Sequence, residues 1–399
     1  MAIRYFTLID GRLSSGKYSK RTTLHPIKAM RLLNTLLSTT LLGLAAAITC
    51  QHASADWLLS QPGWNHSFPA DHSNHPGFKT EWWYFTGNLR NDSGDEFGYQ
   101  LTFFRQGVLD PSRTVPEGSR FIQRDMKFAH FAVSSITEKK FHHFQKVSRG
   151  AFSEAGFDKG STITWIDDWS CERTGLHSFR LKASSENILV DLQINSSAPP
   201  LLHGENGLSR KSAGEGRASH YYSLTRMNTI GTLSLNGAAH HVRGLTWFDH
   251  EWATNQLDSH QAGWDWFSLQ CDDGSDLMLF QIRTTNGGRD PFSSGTWTDA
   301  SGNQVHIREE DFFLEPVEWW TSPKTKAQYP VSWKIRIPGL GIDLLIAARF
   351  PSQELAIEPI AYWEGAVAAK GMKDNQPLRA KGYLEMTGYA GRIVGMQAP

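Results

Sequence analysis

Two carboxylates stand two residues apart in Gly244-Leu245-Thr246-Trp247-Phe248-Asp249-His250-Glu251-Trp252, a run otherwise dominated by aromatic rings. In an extended chain, alternate side chains face opposite ways. Trp247, Asp249 and Glu251 then share one face, and Phe248, His250 and Trp252 the other. Burial raises a carboxyl pKa, and a second carboxylate nearby raises it further. Asp249 would then be a general acid competent near neutral pH. Trp247 is the expected wall for a developing carbocation, through its ring quadrupole. Glu251 is the group expected to raise the Asp249 pKa or to position water. The bland alternative has Asp249 capping a turn and Glu251 in solvent.

Asp, His and Glu in a row also suggest a metal, yet alternation turns His250 away from both acids. Neither an H-E-x-x-H motif nor a paired-cysteine spacing occurs. There is also no G-x-S-x-G, phosphate-binding loop or dinucleotide fingerprint, so no metal and no cofactor is expected. Further ligand contacts are expected from Glu81 and Trp83 in His75–Trp83, from Tyr222 and Arg226 in His220–Met227, and from His250, Trp264 and Trp266. Glu81 has a structural alternative as an edge charge beside Lys79, and Tyr-rich strands are also ordinary sheet.

The elements that must position these residues are strands. Phe97, Tyr99, Leu101 and Phe103 alternate with smaller or polar neighbours, as do Ile188, Val190, Leu192 and Ile194. Turn signals such as Asn91-Asp92-Ser93-Gly94, Asn236-Gly237 and Asp273-Gly274 separate the runs. An internal repeat follows. Trp82-Trp83-Tyr84-Phe85, an acidic glycine turn and a strand ending in Phe104-Arg105 recur as Trp264-Asp265-Trp266-Phe267, a second such turn and Ile282-Arg283. The expected fold is all-β, with two tandem antiparallel barrels each wide enough to hold a small ligand. The expected domains are 56–235 and 236–399. The Gly/Ser/Pro-rich stretch 196–219 reads as a solvated loop or as a pocket lid.

The first 55 residues read as a leader. Lys28 and Arg31 precede an apolar run over 32–48, and Ala53-Ser54-Ala55 is a small-residue cleavage site. Residues 1–29 are longer than a charged leader needs and also read as a mis-assigned start before Met30. The 399-residue chain carries 40 basic and 40 acidic residues. The leader holds seven of the bases and one acid, leaving 33 against 39, a net charge of about −6. That balance gives no footprint for nucleic acid. A periplasmic or secreted protein is expected. Cys171 and Cys271, left after cleavage, could pair or stay as buried thiols.

H-P-x-x-K-x-E-W-W-Y-x-T-G-x-L at 75–89, Tyr-Tyr-Ser-Leu-Thr-Arg at 221–226 and W-F-D-H-E-W at 247–252 together resemble the carotenoid 1,2-hydratase/AttH family. The resemblance spans nearly all of the chain after the leader and implies two tandem lipocalin-like barrels. In the hydratases an aspartate of this motif protonates an isolated C=C bond before water adds, and the matching residue is Asp249, with Trp247 beside it. This chain has Asp-His-Glu where the hydratases have Asp-His-Asn, which argues against a carotenoid substrate. The resemblance implies either acid-catalysed hydratase, hydrolase or isomerase chemistry on a hydrophobic small molecule, or a non-catalytic carrier working with a membrane ABC transporter. Cleavage after Ala55 predicts an exported chain beginning at Asp56. N-terminal sequencing of the exported protein checks this, and a chain retaining 32–48 would contradict it.

Overall fold

The computed structural model describes residues 57–109, 111–113, 122–357 and 360–391, so the leader expected over 1–55 lies outside the described residues. These residues form two curled antiparallel sheets, of 13 and 10 strands among the described residues, that make barrel-like domains. In the first sheet, Glu96–Gly107, Thr80–Asn91, Ala238–Ala253 and Ala218–Leu235 are consecutive neighbours. In the second, Asp276–Thr284, Gln261–Cys271, Gln376–Met386 and Ala361–Lys373 repeat that order. Each half therefore opens with an aromatic hairpin and ends by laying its last strand beside the hairpin's first. The duplication seen in the sequence is a duplication of topology.

The boundary between the halves falls later than 235/236. Asn236 and Gly237 both have positive φ, 53° and 84°, and link 218–235 to 238–253 as a two-residue hairpin. Asn-Gly suits the left-handed conformation that such a turn requires. The 238–253 strand pairs with 80–91 as well, so it lies in the middle of the first sheet. The first half runs to Ala253, and the second begins at Gln261. Gly244 permits the close approach of 238–253 to 80–91, because a Cβ there would meet the Asn88 carbonyl oxygen at 2.0 Å.

Alternation gives the central strands two buried faces. Trp83, Phe85, Phe248 and Trp252 enter the core of the first barrel, while Phe267, Trp333, Leu344 and Trp363 fill that of the second. A third apolar cluster, including Tyr84, Tyr221, Trp247, Trp266 and Phe280, lies in the seam between the sheets. Both barrel interiors are packed with side chains, so the expected ligand space inside a barrel gives way to the seam. Cys171 and Cys271 are free and buried in different cores. The 196–219 stretch is not a free loop, since Leu201–Leu202 and Leu208–Arg210 pair with 218–235.

Phe248 stacks on Phe85 at 4.4 Å between ring centroids and is fully buried. Phe248→Ala should cost about 3–5 kcal/mol of unfolding free energy. Chemical denaturation checks this, and a loss below about 1 kcal/mol would contradict the packing described.

Candidate functional site

Asp249 emerges on the seam face of 238–253, directly opposite Ser223 on one neighbouring strand and Tyr84 on the other. Three donors hold its carboxyl. Trp247 Nε1 donates to Oδ1 at 2.6 Å, Ser223 Oγ also donates to Oδ1, and the Tyr221 hydroxyl donates to Oδ2 at 2.6 Å. Tyr221 in turn accepts from Trp266 Nε1 at 3.1 Å. Burial pushes the Asp249 pKa up to about 7; the three donors oppose that shift, and the Glu251 charge adds to it.

The site faces a cavity with an open mouth. Its walls come from both sheets and include Trp82, Tyr84, Phe104, Trp264, Trp266 and Phe280. Among these rings stand Asp249, Glu251, Glu385 and Lys211. Glu385 accepts from Trp264 Nε1 at 3.1 Å, and burial lifts its pKa to about 8, with Asp249 and Glu251 adding to the rise. Behind the wall, burial raises Glu364 well above the usual carboxyl range, and it accepts from the Tyr84 hydroxyl at 2.5 Å. Lys211 Nζ lies 3.1 Å from Glu251 and 4.3 Å from the Phe280 ring centroid. An apolar pocket with a few fixed polar groups is the usual form of a small-molecule site.

The structure brings together Asp249, Glu251, Trp264 and Trp266 from the expected set. Trp247 shares their face, but its indole bonds Asp249 instead of lining the cavity. The ring walls are Trp82, Trp264 and Trp266 in its place. Glu81, Trp83, Tyr222 and His250 lie on the opposite strand faces, inside the first barrel. Arg226 lies within a β-bulge between Leu224 and Met227, and there it pairs with Asp276 at 2.8 Å and donates to the carbonyls of Cys271 and Ser275. It ties the halves together away from the Asp249 cavity. Sequence reasoning missed Tyr221, Ser223, Glu385 and Lys211. The parity of Ser223, which is also that of Tyr221, could have been read from a pairing of 218–235 with 238–253.

Inside the first barrel, Glu81 Oε1 lies 2.7 Å from His75 Nδ1 and 3.0 Å from His250 Nε2. These three residues bring potential metal-ligand atoms within 4.8 Å of one another. The same carboxylate already accepts from Arg105 Nε at 3.2 Å and from the His75 backbone N–H. The guanidinium supplies the compensating positive charge, so the cluster fits a buried ion network better than a cation site. Burial acts to depress the His75 pKa, but Glu81 and Asp71 together outweigh it and hold it near 9. Trp83 donates to the His72 carbonyl at 3.0 Å and stacks on His250, while Tyr222 bonds His72 at 2.6 Å. This group anchors 66–78 to the barrel.

A family profile described as AttH-like matches residues 60–389. A crystal structure of an AttH from Nitrosomonas europaea is similar with a TM-score of 0.75 and 34% identity, over 83% of this chain and 99% of that one. Kievitone hydratase from Nectria haematococca shares the fold, with a TM-score of 0.65 at 14% identity over 82% of this chain and 93% of its own. Dehydratase asqC from Emericella nidulans is 22% identical over 273 residues, 64% of this chain and 75% of that protein.

Because the folded-state pKa of Asp249 lies above its ordinary 3.8, neutral Asp249 favours the fold. That contribution is complete below about pH 4 and is lost as pH rises towards about 7. Asp249→Asn does not titrate, so its stability relative to the parent should improve across this window by on the order of a few kcal/mol. Denaturation at stepped pH checks it, and a difference that stays flat with pH would contradict it.

Proposed function

This chain belongs to the AttH-like family, and on that premise we propose that it adds water to, or removes it from, a carbon–carbon double bond of a hydrophobic small molecule. The observation that carries this reading is a buried Asp249, held near neutrality, on an aromatic cavity with an open mouth. A hydratase and a dehydratase among the similar proteins support the reaction class.

In the hydration direction, Asp249 transfers its proton to one alkene carbon and leaves a carbocation at the other. The faces of Trp82, Trp264 and Trp266 stabilise that charge. A water oxygen bonds to the cationic carbon, and its surplus proton returns to the Asp249 carboxylate. Dehydration is the reverse: Asp249 protonates the hydroxyl, water leaves, and the carboxylate takes a proton from the adjacent carbon. Trp247, Tyr221 and Ser223 hold the carboxyl in place throughout. The Glu251–Lys211 pair supplies polar groups that can hold the water. The leader expected from the sequence would carry this reaction to the periplasm or outside the cell.

The test is incubation of the mature protein with a hydrophobic extract of its host in ¹⁸O-labelled water, read by mass spectrometry. The parent should place ¹⁸O in an alcohol product, and Asp249→Asn should lower the rate by about 10²–10⁴ while still retaining ligand. A co-purifying ligand with no label incorporation by the parent would overturn the enzymatic reading in favour of a carrier serving a membrane transporter.

A further inference from the structure

Behind Asp249 runs a chain of hydrogen bonds that the proposed reaction does not use. Ser223 Oγ lies 2.6 Å from His203 Nε2, and His203 Nδ1 lies 2.9 Å from Thr296 Oγ1. Ser223, His203 and Thr296 are all buried, and the chain crosses from the first sheet to the second. His203 comes from the 196–219 stretch, where its backbone N–H donates to the Tyr221 carbonyl and its ring packs 4.2 Å from the Tyr221 ring.

The donor inventory restricts how this chain can be arranged. An indole N–H can only donate, so Trp247 donates to Asp249 whatever its charge. Tyr221 accepts from Trp266, and its single hydrogen goes to Asp249 Oδ2. Ser223 differs because its hydrogen has two destinations, Asp249 Oδ1 or His203 Nε2. Burial holds His203 neutral at ordinary pH, with the Lys211 and His306 charges acting in the same direction, so its ring carries one N–H.

We infer that His203 is a positioning residue whose tautomer reverses with the charge of Asp249, making Ser223 a donor to the carboxylate and an acceptor from the carboxylic acid. With Asp249 charged, Thr296 donates to Nδ1, Nε2–H donates to Ser223, and Ser223 donates to Oδ1. One proton taken up from solvent water at the Thr296 end reverses every bond. The Thr296 hydrogen passes to Nδ1, the Nε2 hydrogen passes to Ser223, the Ser223 hydrogen passes to Oδ1, and the entering proton replaces the hydrogen on Thr296. The product is neutral Asp249, with His203 protonated on Nδ1. No group becomes an ion on the way, and the acid keeps a full set of partners in both states. This inference rests on Asp249 acting as the acid, but its readout does not need turnover.

Other groups titrate in the same neighbourhood. Asp249 is faced by Tyr221 from 218–235, by Tyr84 from 80–91, by Glu364 and Glu385 from the second sheet, and by Glu251 on its own strand; Lys211 and His306 act on His203. The experiment therefore reads individual nuclei. In the mature chain, ¹⁵N-histidine NMR across pH should show Nδ1 and Nε2 of His203 exchanging protonated and bare character, at the midpoint reported by the Asp249 ¹³C carboxyl signal. Asp249→Asn should abolish the exchange. His203→Gln can keep donating to Ser223, and it should lower the Asp249 midpoint by about one pH unit or more. A fixed His203 tautomer while Asp249 titrates, or an unmoved Asp249 midpoint in a folded His203→Gln protein, would overturn the inference. If the tautomer reverses but no ¹⁸O is incorporated, the switch stands and the catalytic reading fails.

Discussion

The Asp249 carboxyl is buried in the seam between two sheets, with three neutral donors and no cation among its hydrogen-bond partners. A buried carboxylate without a cationic partner is costly, and the cheaper state is the neutral acid. Most of the seam can be read as the means of maintaining that condition. Trp247 and Ser223 fix the carboxyl from its own sheet, while Trp266 reaches across from the second sheet to fix Tyr221. The Glu251 charge adds to the rise, and Lys211 is drawn to Glu251.

The opposite face of the same strand solves the inverse problem. One residue along, His250 enters the first barrel and meets Glu81, which is ionised and matched by Arg105 and His75. Two consecutive residues thus point into two buried environments with contrasting charge logic. Inside the barrel, cations hold a carboxylate charged and anchor the N-terminal segment. In the seam, neutral donors leave a carboxyl able to keep its proton. Strand alternation is what separates the two, so the structural ion network does not lower the pKa of the proposed acid.

The sequence made the strand class, the duplication and the shared face of Trp247, Asp249 and Glu251 legible, because each follows from a period of two within one segment. Partnership between sheets was not legible. Glu385 lies 136 residues from Asp249 along the chain and meets the cavity only because the halves pack face to face. Tyr222 and Tyr221 are adjacent, and their parity decides that Tyr221 reaches Asp249 while Tyr222 faces the barrel. The Asn236-Gly237 turn was visible, but its hairpin connects two central strands and does not separate domains. Arg226 eluded simple alternation because a bulge intervenes.

Difference infrared spectroscopy of the carboxyl stretch tests the central claim most directly, with the parent compared against Asp249→Asn at about pH 6, below the raised Asp249 pKa. The account predicts a protonated-carboxyl band in the parent that shifts in D₂O and is missing from the variant. Finding only an Asp249 carboxylate signal at that pH would contradict it.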